Sequence, residues 1–145
     1  MKVKIKKLYE DVVVPTRGSY QAAGYDLYAH GLPDGTLIRP NDTWMIGTGI
    51  AMEIPDGYFG GIYARSGLAT KKGLRPANCV GVVDADFRGE IKVAVHNDSD
   101  RQQEIKNGDR IAQLIIQPYL SVEFEEADEL SNTERGSGGF GHSGQ

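Results

Sequence analysis

Apolar and polar residues alternate along short runs of this 145-residue sequence, and this period of two limits the possible folds more than any other feature. Residues 90–96 alternate cleanly, as a strand with one buried face requires. Similar short runs predict strands over 3–8, 36–39, 44–50, 59–64, 80–83 and 111–117. Because turn-forming residues separate these runs at 33–35, 55–57 and 107–108, the sequence predicts an all-β sandwich or small barrel.

The glycine content supports the same conclusion. Glycine occupies 19 of the 145 positions, about 13% against about 7% in average proteins. Each glycine inside a helix costs about 1 kcal/mol relative to alanine, so long helices are disfavoured. Only residues 66–71 are predicted to form a helical turn or two. The length suits one domain, which we assign to residues 1–134, followed by a flexible, glycine-rich segment over 135–145.

Charge and cysteine content exclude several classes of function. The formal net charge is −4, which argues against general electrostatic binding to nucleic acid. No apolar run approaches the ~20 residues of a membrane span, and the basic N-terminus lacks the apolar stretch of a signal peptide. We therefore expect a cytoplasmic protein without nucleic-acid or membrane partners. Cys79 is the only cysteine, so neither an internal disulfide nor a thiolate metal site is available.

The glycine-rich segment contains the pattern G-x-G-x-x-G at 136–141. A dinucleotide site of this kind needs a strand before the pattern and a helix after it, and only four residues follow Gly141. Two interpretations stay open. The segment is either an unordered tail or a wrap around a polyphosphate, with Arg135 at its start and Phe140 stacking on a flat ring.

Arg65, Ser66 and Gly67 stand at the start of the predicted helical turn. A guanidinium, a hydroxyl and free backbone N–H groups in this position are typical of an anion site. Ser66 is equally suited to capping the helix. A nucleophile elbow is excluded, because it would need glycine in place of Ala64 and Leu68.

Two aspartates occur inside or directly after apolar runs. Asp84 follows Val82 and Val83, where partial burial would tune its carboxylate as a base, although acids in turns are usually solvated. Asp26 lies within the strand-like run 22–29. Because a buried acid needs partners, Asp26 either makes structural hydrogen bonds or holds the waters of a cation.

Five segments of the chain, taken in order, resemble the five motifs of the trimeric dUTP diphosphatases, the dUTPases. They are residues 22–29, 64–69, 81–89, 108–115 and 135–144. Each segment alone is a weak signal, but together they span nearly the whole chain in the family's order. The resemblance implies a jelly-roll-like β-barrel subunit and a homotrimer whose active sites are shared between subunits.

The implied reaction is hydrolysis of dUTP to dUMP and pyrophosphate with Mg²⁺, which limits uracil incorporation into DNA and supplies dUMP for dTTP synthesis. In this resemblance Asp84 is the base that activates water for attack on the α-phosphorus. Asp26 orients waters bound to Mg²⁺, which the triphosphate itself mainly holds. One carboxylate suffices for this chemistry, because phosphoryl transfer depends on positioning and charge neutralisation rather than on a covalent intermediate.

The resemblance also implies three groups of substrate-binding residues. The phosphate-binding positions are Arg65, Ser66, Gly67 and Gln113. The uracil and deoxyribose pocket comprises Asn78, Gly81, Val82, Val83, Phe87 and Lys92. The lid over the phosphates comprises Arg135, Ser137, Gly138, Gly139, Phe140 and Gly141. Phe140 would stack on uracil, and the lid would come from a different subunit from the one that holds Asp84.

Two positions depart from the family pattern. Phe87 stands where the family usually has tyrosine, which removes a hydroxyl but keeps the flat ring. If this ring blocks ribonucleotides by contact with C2′, phenylalanine preserves the discrimination. Ala64 replaces the proline that usually precedes this Arg-Ser-Gly sequence, which loosens the turn slightly.

Three alternatives compete with a dUTPase. A dCTP deaminase shares the fold, but it carries glutamate where this chain has Ala94 and usually histidine where this chain has Asp84. A regulatory protein with a dUTPase fold would bind partners with little catalysis, which Asp26, Asp84 and the complete lid sequence argue against. The third alternative is a β protein with a purely structural role.

Overall fold

The structure is a computed structural model of the chain and describes residues 1–139. Within these residues the regular secondary structure consists of one seven-residue helix and eleven strands, so the all-β fold with one short helix is confirmed. The elements are β1 Lys4–Lys7, β2 Tyr25–Tyr28, β3 Leu37–Ile38, β4 Thr43–Gly47, β5 Ile50–Glu53, β6 Tyr58–Tyr63, α1 Ser66–Lys72, β7 Leu74–Pro76, β8 Val80–Val83, β9 Lys92–Asn97, β10 Gln103–Glu104 and β11 Arg110–Pro118.

The strands form two main antiparallel sheets. One has the order β2-β11-β6-β8, and the other has the order β4-β9-β7. Two further pairs, β1 with β5 and β3 with β10, lie beside them. Buried side chains from both sheets, such as Leu27, Val93 and Leu114, belong to one apolar cluster. The sheets therefore share a single core, although their edges do not join into a closed barrel.

The alternation that predicts β9 is visible in its burial. Val93 and Val95 are buried, whereas Lys92 before them is exposed and Ala94 and His96 are half-buried. Burying such side chains stabilises the fold by about 1.5–3 kcal/mol each. Strands β7 and β10, of three and two residues, were not predicted because they show no period, whereas β3, also of two residues, lies within the predicted run 36–39.

The prediction of one continuous strand over 44–50 is wrong. The chain turns between β4 and β5 at Gly49, whose φ is +67°. The Gly49 N–H donates to Glu90 Oε1 at 2.9 Å, and the Thr48 hydroxyl donates to the carbonyl of Ile91 at 2.6 Å. A Cβ atom at Gly49 would overlap the side chain of Val12. This turn depends on long-range partners that the local alternation does not reveal.

Asn97 is a fully buried polar residue at the end of β9. Its Nδ2 donates to the carbonyls of Ile38 at 2.9 Å and Arg101 at 2.8 Å. Its Oδ1 accepts from the N–H and the hydroxyl of Ser99 at 2.9 and 2.7 Å. One side chain therefore satisfies backbone groups of three residues in two separate parts of the chain, as buried polar groups require.

The segment before β2 is held against the body around His30. The Tyr9 ring stacks on the imidazole with centroids 4.8 Å apart. The His30 Nε2 lies 3.0 Å from Asp11 Oδ1, and Val12, the next residue, is buried. The hydrogen bond to His30 lowers the pKa of the Asp11 carboxyl below its ordinary value.

We expect Asp11→Asn to reduce stability above about pH 5 and to have a diminishing effect as the pH falls below about 4. A carboxyl whose pKa is lowered by folding stabilises the protein above its unfolded pKa, and this contribution disappears as the pH falls through the folded pKa. The effect is small because Asp11 is exposed. Thermal unfolding of both proteins across this range checks it, with Asp34→Asn as a control. A difference in stability that does not shrink as the pH falls would contradict the assignment.

Residues 119–139 follow β11 without forming a helix or strand. Leu120, Val122 and Phe124 alternate with polar residues and are highly exposed, Phe124 to 94%. Within the described chain, residues 120–132 make no recorded hydrogen bond. This is the pattern of a strand without a partner.

Among the described residues, no helix has the length and apolar character needed to cross a membrane.

Candidate active site

A cavity of about 370 Å³ opens beside β8 and the turn that follows it. Every residue predicted to form the uracil and deoxyribose pocket lines this cavity, and so does the predicted base. These residues are Asn78, Gly81, Val82, Val83, Asp84, Phe87 and Lys92. Residues that are up to fourteen positions apart in the sequence therefore meet in one cavity, on strands β8 and β9 and the loops beside them.

The Phe87 ring lies against the backbone of Gly89. A Cβ atom at Gly89 would be 2.6 Å from Phe87 Cζ, which no real Cβ approaches without displacing the ring. The ring is otherwise partly exposed towards the cavity. Gly89 therefore leaves room for the aromatic ring that lines this side of the cavity.

Glu90 and Met45 also line this cavity and were not predicted as site residues. Glu90 Oε2 lies 3.6 Å from the Lys92 ammonium, while its Oε1 accepts from the Gly49 N–H. Glu90 thus connects Lys92 to the turn between β4 and β5. The signal available in the sequence is the spacing of two, which places Glu90 and Lys92 on one side of the chain. No sequence signal points to Met45.

Asp84 is exposed in the single chain, so the expected partial burial is not found. The alternation of β8 turns Val82 and Asp84 outwards, whereas Gly81 and Val83 are buried. A second opening beside Asp84 also contains Asp56 and Asp86. An exposed carboxylate at the mouth of a cavity is accessible to water and substrate alike.

A second cluster of predicted site residues lies around Asp26 on β2. Asp26 Oδ1 accepts from Arg65 Nε at 2.7 Å, and its Oδ2 lies 3.4 Å from Arg110 Nη1. The Asp26 side chain is only 13% exposed. The structural hydrogen bonds considered for this acid are therefore present, and they hold two arginines in place. Arg110 lies within the fourth segment, but no feature of the sequence assigns it a role.

Gln113 on β11 ties this cluster together. It lies opposite Asp26 and Tyr63 in the strand registers, and its Nε2 donates to the carbonyl of Ala64 at 2.9 Å. Ser66 begins α1, with Arg65 in the N-cap position and no side-chain capping bond recorded there. Ser66 and Gly67 are exposed, so the capping role considered for Ser66 is not observed.

The two clusters lie far apart in one chain. β6 pairs with β8 at Gly60 and Val83, and with β11 at Tyr63 and Gln113. Asp84 follows Val83, so it lies about four residues, or about 13 Å, from the level of Gln113 along the strand direction. Because β6 lies between β8 and β11, the two positions are also about two strand spacings, or about 10 Å, apart across the sheet. The corresponding Cα atoms are about 16 Å apart. The structure thus brings together the predicted nucleoside-pocket residues. It also brings together the predicted phosphate-binding residues Arg65, Ser66, Gly67 and Gln113, which lie beside Asp26 and are called the phosphate cluster below. It does not bring the pocket and the phosphate cluster close to each other.

The described part of the predicted lid forms successive turns. Arg135 Nε donates to the carbonyl of Gly138 at 2.7 Å, and the Gly136 N–H donates to the carbonyl of Thr133 at 3.1 Å. Ser137 and Gly139 are exposed. The predicted lid residues Phe140 and Gly141 lie outside the described residues.

Comparison with known proteins decides the family. The sequence model of the dUTPase family matches residues 10–144. The chain belongs to the dUTPase family. The resemblance drawn from the five segments is thereby confirmed, and so is the prediction of an enzyme of the hydrolase class.

Two bacterial relatives are named deoxyuridine 5'-triphosphate nucleotidohydrolase. The one from Hydrogenobaculum sp. is 49% identical over 144 residues, which is 99% of each chain. The one from Nautilia profundicola is 48% identical over 145 residues, which is 100% of each chain. These dUTPase relatives match the chain from end to end.

Solved structures support the fold. The dUTPase of Staphylococcus bacteriophage 80alpha with dUPNHPP has a TM-score of 0.85 and 28% identity, over 99% of both chains. A dUTPase of the S. aureus phage phi11 has a TM-score of 0.76 and 25% identity, over 89% of this chain and 98% of its own, and its title describes a structural Mg(II) ion. The likeness to these dUTPases confirms the jelly-roll-like fold.

Proposed function

We propose that this chain is a dUTP diphosphatase that hydrolyses dUTP to dUMP and pyrophosphate. The observation that carries the proposal is the cavity of about 370 Å³, in which the predicted nucleoside-binding residues meet Asp84 at the mouth. The names of the bacterial relatives support the same substrate. The cytoplasmic location predicted from the sequence is part of this proposal.

In the proposed mechanism, the Asp84 carboxylate accepts a proton from the attacking water. The water oxygen forms a bond to the α-phosphorus, and the bond from this phosphorus to the bridging oxygen of the β-phosphate breaks. Pyrophosphate leaves with the electron pair of that bond. General-base catalysis of this kind contributes about 10²–10⁴-fold in rate. It requires a carboxylate that water reaches, which the exposure of Asp84 supplies.

The phosphate cluster supplies positive charge and hydrogen-bond donors. Arg65 keeps a fixed position because its Nε donates to Asp26, which leaves its terminal N–H groups for phosphate oxygens. The exposed start of α1 at Ser66 and Gly67 offers a hydroxyl and backbone N–H groups. Together with the Gln113 amide, these groups neutralise and orient a triphosphate.

Mg²⁺ fits this donor set as a partner of the substrate rather than of the protein. Among the described residues, no group of three or more acidic, histidine or cysteine side chains is placed to hold a metal. Mg²⁺ keeps several waters and is usually bound by substrate phosphates with one or two carboxylates. Asp26 already accepts from Arg65, but a carboxylate has about four lone-pair sites. Its remaining sites suit metal-bound waters, and the ion would neutralise charge on the triphosphate.

We infer further that the active enzyme is a homotrimer with active sites shared between subunits. Two observations support shared sites. The strand registers and ideal strand spacings place Asp84 and Gln113 about 16 Å apart in one chain, and Gln113 does not line the cavity that contains Asp84. The alternating segment with Leu120, Val122 and Phe124 has exposed apolar side chains that its own chain does not cover. Subunit association would bury these side chains and complete the site. Light scattering during gel filtration tests this inference, with an expected mass of about 47 kDa, three times the 15.8 kDa subunit.

Pyrophosphate release with Mg²⁺ from dUTP, dCTP, dTTP and UTP tests the function. Release from dUTP alone is the expected result, and it would also show that Phe87 excludes ribose without the usual hydroxyl. Comparable release from UTP would assign sugar selection to that missing hydroxyl. If the folded trimer releases no pyrophosphate from dUTP, the proposal is wrong and the regulatory alternative is favoured.

A further inference from the structure

Gly24, directly before β2, lies against the end of the Gln113 side chain. A Cβ atom at this position would overlap Gln113 Oε1, and it would be 3.0 Å from Cδ and 3.1 Å from Cβ of the same residue. The backbone of Gly24 is not in the left-handed region. Its lack of a side chain is therefore required by the space that Gln113 occupies and not by the backbone conformation.

The Gln113 amide has one hydrogen bond and one close packing contact. Its Nε2 donates to the carbonyl of Ala64, the residue immediately before the Arg65–Gly67 phosphate-binding turn. Its Oε1 occupies the space that the missing Gly24 side chain leaves free. The amide thus links β11 to the chain just before α1, and Gly24 leaves it the room to do so.

We propose that Gly24 is a positioning residue for the phosphate-binding cluster, acting through Gln113. A methyl group at position 24 forces the amide to rotate out of its place and away from Ala64. The two shortest contacts are with the far end of a flexible, half-buried side chain, which can rotate away. The third, with Gln113 Cβ at 3.1 Å, requires a shift of only a few tenths of an ångström, so the fold accommodates the change at a small cost. Phosphate binding loses an oriented donor. The inference rests on the proposed dUTP hydrolysis.

The test compares four variants in steady-state pyrophosphate release from dUTP. Gly24→Ala is expected to raise KM by about tenfold, the usual effect of one hydrogen bond to a charged group, with little change in kcat or in the thermal unfolding temperature. Gly18→Ala is the matched control, because a Cβ atom there meets nothing within 4 Å. It is expected to leave KM unchanged.

A double-mutant cycle with Gln113→Ala separates positioning from a general structural effect. Without the amide the methyl group at position 24 has less to displace, so Gly24→Ala is expected to add almost nothing in the Gln113→Ala background. If Gly24→Ala behaves like Gly18→Ala, or multiplies the defect of Gln113→Ala, the positioning role is wrong. If the wild-type protein itself fails to hydrolyse dUTP, the proposed function fails instead, and the two outcomes are distinct.

Discussion

Replacement of Asp84 by asparagine is expected to lower pyrophosphate release from dUTP by about a thousandfold, while nucleotide binding is retained. The amide has nearly the same shape as the carboxylate, but it cannot accept a proton from water. Because Asp84 is exposed and is not needed for the core, the fold is expected to be unchanged. Turnover and calorimetric binding of a non-hydrolysable dUTP analogue measure the two properties separately.

Asp86 provides the matched control for this variant. It lies two residues further along the same turn and faces the second opening together with Asp56. Asp86→Asn removes the same charge and is expected to keep turnover near that of the wild type. Unchanged turnover in Asp84→Asn would refute the assignment of the base. A large loss in Asp86→Asn alone would move the assignment to that residue.

Asp84→Asn also tests whether active sites are shared between subunits. Arg65→Met is expected to be inactive as well, because it removes the guanidinium from the phosphate cluster. If Asp84 and Arg65 of one site come from different subunits, refolding an equal mixture of the two variants restores about a quarter of the wild-type activity, as random assembly dictates. Absence of any recovery from well-formed mixed trimers would show that each site belongs to one chain.

Asn97→Ala is expected to have the largest effect on stability, a loss of about 3 kcal/mol in the free energy of unfolding. The substitution leaves the buried carbonyl of Ile38 without its donor and the N–H of Ser99 without its acceptor. Each unsatisfied buried group costs about 1–3 kcal/mol, and the small cavity left by the side chain adds to this. Urea unfolding followed by Trp44 fluorescence measures the change.

Asn107→Ala is the control that isolates burial. Asn107 also makes two hydrogen bonds to backbone, both to Leu32, but it is exposed. Water replaces the lost partners there, so the expected loss is about 1 kcal/mol or less. Equal losses in the two variants would mean that burial of Asn97 does not determine its contribution.

The sequence predicts strands well where the period of two is long enough to see. β8 and β9 follow their alternation closely, whereas β7 and β10 are too short to show one. The break at Gly49 was missed because it depends on Glu90, which is 41 residues away. The local alternation indicates which face of a strand is buried, but it does not indicate which residue far along the chain completes a turn.

The candidate site was likewise predictable from the sequence only in part. Spacing alone indicated an anion site at Arg65 and an acid with unknown partners at Asp26, but the ion pair between them joins residues 39 positions apart. The resemblance to dUTPases grouped the residues that line the cavity, because the order of five motifs along the chain carries information that a single residue does not. Contacts such as that between Gly24 and Gln113 depend on tenths of an ångström in the folded chain. No sequence period encodes them.

The exposed segment after β11 also bears on aggregation. Leu120, Val122 and Phe124 combine exposed apolar side chains with backbone groups that make no hydrogen bond within the described chain. An unpaired strand of this kind is a template for strand-to-strand aggregation. Glu123, Glu125 and Glu126 oppose such aggregation, because their like charges repel when identical segments pair.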